Sequence, residues 1–265
     1  MDVVLARRVE LAEAFAGKAC VEGLIRLRPA FPAAIDEIAG GVALFAGVDS
    51  PVTQAIGVGM NGPVGHGDLQ RLEEFFQNRG ADVAVELSPF VDSSLYEAFG
   101  KRGYRLREVS NVLVRQLVAR DRFDGPQDVV VRLVNTNEAQ SWVETVAKGF
   151  AEDFPVTESL RNIMQGFFHR TGACCFLAFV GQEVAGGGCV SSYDHVGGLF
   201  GASTLPAFRG RGVQMALLAG RLRWALGEGC DLAASIALPG SVSQRNLERL
   251  GFRIAYTRTK LVKAA

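Results

Sequence analysis

The 265-residue chain reads as an α/β protein: two domains in tandem, each a mixed, largely antiparallel sheet flanked by helices. Three observations predict this class. The second half alternates short apolar runs with amphipathic stretches in an order that suits a mixed sheet. A helix–strand–turn–helix–strand pattern occurs twice along the chain. The composition, 48% hydrophobic and 21% charged, supplies ample core material for a globular fold.

In the first half, Asn78-Arg79-Gly80 closes a helix and the run from Asp82 to Leu87 reads as a strand entering a proline turn. From Ser93 a short helix follows, then Gly103-Tyr104, and Asn111 to Val118 closes the half as a strand. Arg120 to Asp128 is charged and broken by Gly125 and Pro126, which predicts a surface connector. The predicted organisation is therefore 1–118, a linker at 119–128, and a second domain at 129–265. That second domain opens with a strand at Val129–Val134 and a helix at Glu138–Phe150. Thr157 caps a helix to His169, and Cys174–Val180 with Glu183–Ser192 form a hairpin around Gly181-Gln182. Val196–Thr204 is the next strand. The helix from Val213 to about Leu226 places Val213, Ala216, Leu217, Gly220 and Trp224 on one face. Asp231–Leu238 is nearly all apolar, as a strand buried on both faces must be. Ser241 and Gln244 form a capping pair for a helix that Gly251 ends, and Phe252–Val262 is the closing strand.

The repeat sets Asp82 against Asp231 and Gly103 against Gly251, offsets of 149 and 148 residues. A near-constant offset across three elements reads as two copies of one unit.

Charge and hydropathy exclude several classes. With 28 basic and 28 acidic side chains the net charge is +0, so no global attraction to nucleic acid or to a membrane is expected. No apolar run approaches the ~18 residues of a membrane span, and charges occupy the N-terminal stretch where a signal peptide needs an apolar one. A soluble, cytoplasmic protein is expected. The five cysteines (Cys20, Cys174, Cys175, Cys189, Cys230) are odd in number and lack CxxC spacing. They read as buried free thiols in a reducing compartment, with no metal site. Vicinal Cys174-Cys175 fits the alternating faces of a strand. Gly186-Gly187-Gly188 fits a bulge.

The most informative string is Arg209-Gly210-Arg211-Gly212-Val213-Gln214, between a strand and a helix start. Two glycines permit a tight turn and close approach to an anion, and the first N–H groups of a helix lack intrahelical partners. The arginines add positive charge. The spacing is neither a Walker phosphate loop nor a dinucleotide fingerprint. It resembles the Arg/Gln-x-x-Gly-x-Gly/Ala signature of the GNAT acyltransferase superfamily, with Gln214 where that family usually has Gly or Ala. The resemblance extends over residues 129–263 and includes Leu250-Gly251-Phe252, a common helix-to-strand ending in the family.

The resemblance implies direct acetyl transfer from acetyl-CoA to a primary amine of a small molecule or peptide. The backbone of Arg209, Gly210, Arg211, Gly212, Val213 and Gln214 would hold the pyrophosphate. Thr204 and Leu205 would pair with the pantetheine arm, and an N–H near Ser203–Thr204 would face the thioester carbonyl. Many members carry a tyrosine where this chain has Leu247. Tyr256 and Ser243 are the expected catalytic groups, with Tyr193 and a solvent relay left open. Tyr96 lies in the half without a matching turn. Glu152 and Asp153 are candidate contacts for a cationic acceptor. The first half, whose turn Asn61-Gly-Pro-Val-Gly-His-Gly67 has no arginine, reads as a degenerate copy, a structural or substrate-shaping domain that no longer binds CoA, with His66 a solvated loop residue. The resemblance admits a homodimer. Two other readings stay open: a non-catalytic acyl-CoA sensor or interaction module, and a mononucleotide-binding α/β protein.

Overall fold

In the computed structural model, which describes residues 2–48, 50–151 and 156–265, the chain begins with a helix no strand–helix signal announced. Helix α1 (Val3–Leu27) is capped by Asp2, whose carboxylate accepts from Leu5 N at 2.8 Å. Its buried face is built of small residues, including Ala6, Ala12, Ala16, Ala19 and Cys20. Small side chains let a neighbour come close: an added Cβ on Gly23 would lie 3.1 Å from the Gly166 carbonyl oxygen.

Three short strands follow, β1 (Ala34–Ile38), β2 (Gly41–Phe45) and β3 (Gln54–Ile56), then α2 (His66–Gln77), β4 (Val83–Leu87), α3 (Ser93–Lys101) and β5 (Arg105–Gln116). The second half runs β6 (Val129–Leu133), α4 (Ala139–Gly149), α5 (Glu158–His169), β7 (Ala173–Val180), β8 (Glu183–Tyr193) and β9 (Val196–Thr204). It ends with α6 (Val213–Gly227), β10 (Leu232–Ala237), α7 (Val242–Arg249) and β11 (Arg253–Lys263). The mixed α/β class and nearly every second-half element match the reading of the sequence. The caps work as expected: Thr157 accepts from Leu160 N at 3.2 Å and Ser241 from Gln244 N at 3.1 Å.

All eleven strands join one sheet in the order β1-β2-β3-β4-β11-β5-β10-β9-β8-β7-β6. The two halves exchange their last strands. β5, from the first half, pairs antiparallel with β10, while β11, from the second, pairs antiparallel with β4. β5 and β11 pair with each other along the seam. The penultimate strands also correspond, since β4 is parallel to β3 and β10 is parallel to β9. The strand order therefore repeats about an axis between β5 and β11, in line with the repeat at Asp82 and Asp231.

Alternation on β7 and β8 assigns the helices to faces. Phe176, Ala178 and Val190 pack with α6 and α7, while Cys175, Leu177 and Cys189 pack with α1, α4 and α5. α1 bridges the seam. Its Glu10 and Glu13 carboxylates meet Arg258 of β11, which also meets Glu86 of β4. Arg258, Glu10 and Glu86 are all buried, so this charge network is a desolvated clasp whose worth depends on every member being satisfied.

Candidate functional site

β9 and β10 pair over only three residues each, Val196–Gly198 with Leu232–Ala234, and then diverge. Ser235 Oγ donates to the Leu199 carbonyl at 3.0 Å where the gap opens. Beyond it runs a cavity of about 420 Å³. One end meets Gln214, Ser243 and Leu247 of α6 and α7; the other meets α1 and α5 on the opposite face of the sheet. The cavity thus passes through the sheet.

At the α6 end, Gly210 and Gly212 both have φ near +75°, a left-handed conformation open to glycine at no steric cost. Gly212 is the N-cap, and the first helical bond runs from Ala216 N to its carbonyl at 3.0 Å. The N–H groups of Val213, Gln214 and Met215 therefore precede the helical ladder. Gly212 is also crowded: an added Cβ would sit 2.5 Å from Pro126 Cγ, so the connector packs against the turn. Arg211 is exposed, with its guanidinium carbon 5.6 Å from the Phe208 ring centroid. Arg209 Nη2 donates to the Gly149 carbonyl at 3.1 Å, tying the turn to the end of α4.

Gln214, the departure from the family signature, turns its amide toward α7. Its Nε2 donates to Ser243 Oγ at 3.3 Å and its Oε1 accepts from Asn246 Nδ2. Two residues nominated for different roles, Gln214 and Ser243, are thus hydrogen-bonded to each other. The bulk at the first turn is spent on a neighbouring helix and leaves the backbone N–H groups alone.

Along β9, Gly186 of β8 stands opposite Thr204, and Leu205 N donates to the Ala185 carbonyl at 2.9 Å. By antiparallel alternation the Thr204 N–H and C=O point away from β8, toward the gap. The Leu205 N–H is already occupied, so of the two expected backbone partners only Thr204 has a donor on that side. Ser203 Oγ donates to the Val146 carbonyl at 2.8 Å and holds α4 against the strand. The triple glycine coincides with register shifts on both flanks of β8, at Ala178/Phe179 and Gly187/Cys189, as a bulge requires.

Tyr256 is placed elsewhere. It lies on β11 opposite Val112, with β5 between its strand and β10, and its hydroxyl donates to Glu10 Oε1 at 2.8 Å. Burial, then the Glu10 charge, push its phenol far up. Burial likewise raises Glu10 to about 7, against the pull of Arg258. Tyr256 looked catalytic because it is a tyrosine on the closing strand; a buried carboxylate from α1, at the far end of the sequence, claims it. Tyr193 stacks on Phe15 at 4.4 Å, and Tyr96 donates to the Ser88 carbonyl at 3.1 Å. Leu247, in the slot where many members of the resembled family carry a tyrosine, is buried and lines the cavity. His66 is exposed at the start of α2. Glu152 and Asp153 lie outside the described residues. Among those described, no three His, Cys, Asp or Glu side chains group as metal ligands do, and no helix is long and apolar enough to cross a membrane.

Sequence reasoning missed the opposite end of the cavity. There Val9, Ala12 and Glu13 of α1 face Met164 and Phe167 of α5 and Phe200 of β9. It also missed Arg221, which lines the cavity two turns into α6. The signal for Arg221 was present as a charge inside the apolar run Ala216-Leu-Leu-Ala-Gly-Arg-Leu.

Residues 139–252 match the model of the acetyltransferase (GNAT) family. Among solved structures, the chain is similar to a GCN5-related N-acetyltransferase from Kribbella flavida, at 16% identity over 95% of each chain with a TM-score of 0.66. It is similar to a conserved protein of unknown function from Staphylococcus epidermidis, at 12% identity over 91% of this chain and 97% of that one, TM-score 0.57. A tandem GNAT protein from the clavulanic acid biosynthesis pathway matches at 14% identity over 92% of this chain and 86% of that one, TM-score 0.57. At these identities the structural likeness speaks for the fold. No curated protein sequence matches the chain.

Proposed function

We propose that the chain, whose residues 139–252 match the model of the acetyltransferase (GNAT) family, moves an acetyl group from acetyl-CoA directly to a primary amine of a small molecule or peptide. The backbone N–H groups from Arg209 to Gln214 hold the pyrophosphate, helped by the helix dipole and Arg211. The pantetheine arm lies in the gap between β9 and β10, where the Thr204 backbone serves it as a neighbouring strand would. The acceptor enters from the opposite face, between α1 and α5. The observation that carries this reading is the cavity through the sheet, which joins the start of α6 to a chamber on the other side.

The chemistry needs an uncharged amine. Its nitrogen attacks the thioester carbonyl carbon, the C–N bond forms and the C–S bond breaks. The proton lost from nitrogen ends on the CoA sulfur, giving an amide and free CoA thiol. Ser243, Tyr193 or a relayed water passes that proton, since no tyrosine occupies position 247. An N–H near Ser203–Thr204 polarises the carbonyl, and one such donor is worth about 2.7–4 kcal/mol in comparable sites.

Calorimetry with acetyl-CoA tests the donor site, with one saturable site per chain expected. Thiol release from acetyl-CoA against an amine panel tests transfer. Tight binding with no turnover on any amine would favour the sensor reading, which the leucine at 247 keeps open. A melting shift with ATP or GTP but not with CoA would favour a nucleotide site instead.

A further inference from the structure

Two arginines are buried beside the cavity without a carboxylate. Arg221 is 2% exposed and lines the cavity; its Nε donates to the Leu217 carbonyl at 3.1 Å and its Nη1 to the Cys189 carbonyl at 3.4 Å. Both partners are neutral. Arg170, at the end of α5, is 4% exposed, and its Nε and Nη1 have no hydrogen-bond partner. Its guanidinium lies 4.0 Å from the Phe200 ring centroid and 5.2 Å from that of Phe167, two rings that line the cavity. Among the described residues no carboxylate is within ion-pair distance of either arginine. Glu13, which also lines the cavity, is engaged by two nitrogens of Arg258.

A buried guanidinium stays protonated and is costly to keep without a counter-charge. Burial lowers Arg221 to about 10, still well above neutral pH. The single acidic group between the two cations is Cys189, whose Sγ lies 3.8 Å from Arg170 Nη2. Burial raises this thiol, but the Cys175 hydrogen bond and the two guanidiniums bring it down to about 7. Even fully ionised it supplies one negative charge against two positive ones. The second cation lies against the sheet at Gly188 of β8, where an added Cβ would come 3.0 Å from Ala202 Cβ and 3.4 Å from Arg221 Nε and Cζ.

Position tells which part of a substrate is concerned. Gln214, Leu218 and Arg221 recur at helical spacing along one stripe of α6 and all line the cavity. From Val213 to Arg221 is about 12 Å of helix. Arg221 therefore lies well inside from the anion-binding helix start, toward Gly201 and Ala202 of β9, where the thiol end of a bound donor would reach.

We propose that Arg221 receives a substrate carboxylate beside the reacting centre, with Arg170 adding positive field behind Phe200, so that one of the two substrates is a carboxylic acid. This rests on the donor-site reading given above. The carboxylate has two sources: an amino acid acceptor with its own carboxylate free, or a dicarboxylic acyl group on CoA. The apolar lining around Phe167, Phe200 and Met164 suits an acceptor with a hydrophobic side chain.

Two binding comparisons by calorimetry separate the sources. In one, CoA-saturated protein is titrated with leucine or phenylalanine and with their amides. In the other, the protein is titrated with succinyl-CoA and with butyryl-CoA. The expected result is a preference of about tenfold or more for the carboxylate-bearing member in one comparison, the scale of a charge-assisted hydrogen bond. Arg221→Met should abolish that preference while free CoA still binds and the melting temperature holds or rises, because an apolar replacement removes a buried charge. Arg221→Lys, which keeps the charge without the fork, should retain part of it, and Cys189→Ser should retain it all. No preference in either comparison for the wild-type protein, or a preference that survives Arg221→Met, overturns the proposal and leaves the CoA site standing. A preference lost in Cys189→Ser but kept in Arg221→Met assigns the cations to the thiolate and overturns it equally. Failure of the wild-type chain to bind free CoA or either thioester removes the donor-site reading and this one together.

Discussion

Helices α6 and α2 occupy corresponding places, each entered from a strand parallel to the one that follows it, yet their starts are chemically opposite. α6 is led in by Arg209-Gly-Arg-Gly and has no acidic residue in its first turn. α2 begins after Gly65, whose N–H donates to Asp68 Oδ2 at 3.1 Å, so a carboxylate of the helix itself sits where an anion would. Pro63 has no N–H to offer, and Arg102 Nη2 is turned to the His66 carbonyl at 3.3 Å. Glycines are present in both turns. The difference teaches that glycine alone does not make an anion site: the turn must also offer backbone donors, and here one start has lost a donor to proline and carries a carboxylate of its own chain.

The halves nonetheless complete each other's part of the sheet, and the largest expected effect comes from parting them. β10 finds its outer partner in β5, over six register pairs from Leu232 to Ala237, and β5 belongs to the other half. A fragment of residues 119–265 would keep the whole cradle but leave β10 with an open edge. We expect it to aggregate or to pair with a second copy. Monomeric, cooperatively unfolding fragment in size-exclusion chromatography and circular dichroism would contradict the exchange.

Next in size is a matched pair of glycine substitutions. Gly212→Ala places a Cβ on a left-handed residue and within 2.5 Å of Pro126 Cγ. It should cost about 1–3 kcal/mol of stability and about tenfold or more in acetyl-CoA affinity. Gly65→Ala, at the start of α2, puts a Cβ no closer than 3.4 Å to Asp68 Oδ2 on a residue with φ of −76°. Its cost should stay under about 1 kcal/mol, with CoA affinity unchanged. Equal effects of the two, in melting and calorimetry, would sink the comparison.

Much of the second half was legible because its signals are local. The caps Thr157 and Ser241, the β9 segment and the apolar run of β10 each depend on residues a few positions apart. What escaped depends on residues far apart in sequence. The exchange of β5 and β11 is set by register between strands about 150 residues apart, and nothing near Arg105 or Arg253 announces it. α1 hides because its buried face is made of alanines and carries Glu10, a residue that polarity alone would place in water. The hydrogen-bond partner of Tyr256 was hidden for the same reason, since Glu10 lies 246 positions away. The glycine turn and helix start proposed as the cradle are legible in six consecutive residues, whereas the far end of the cavity needed α1, α5 and β9 to be brought together.

Glu10 supplies a smaller test, directed at what the first half contributes to the seam between the halves. Its carboxyl, raised to about 7 by burial, binds its proton more tightly in the folded chain than in the unfolded one. The folded state therefore holds the extra proton between the unfolded pKa near 4.5 and about 7. Glu10's contribution is full below that window and is lost as pH rises through it. Between pH 5 and 7 the loss should be on the order of 2 kcal/mol. Glu10→Gln, which keeps an acceptor for the Tyr256 hydroxyl, should flatten that slope. Urea midpoints at the two pH values check it, and parallel slopes in both proteins would show that the Glu10 carboxyl does not titrate across this window.

The smallest expected effect bears most directly on the two helix starts. Asp68→Asn removes the charge that faces the dipole of α2 and keeps an oxygen for the Gly65 N–H, so it should cost no more than about 1 kcal/mol. If glycines and an uncapped dipole were enough, the variant would gain a second site for CoA. We expect calorimetric stoichiometry to remain at one per chain, because Pro63 still lacks a donor and no arginine precedes the turn. The same titration on Arg211→Ala should show only a few-fold loss at the α6 cradle, shrinking as salt is raised, since Arg211 is exposed and its charge is screened. A stoichiometry of two for Asp68→Asn would mean that the first-half turn is a complete anion site held shut by one carboxylate. One site in both variants assigns the difference to the backbone donors, with the charges around them acting only as modifiers.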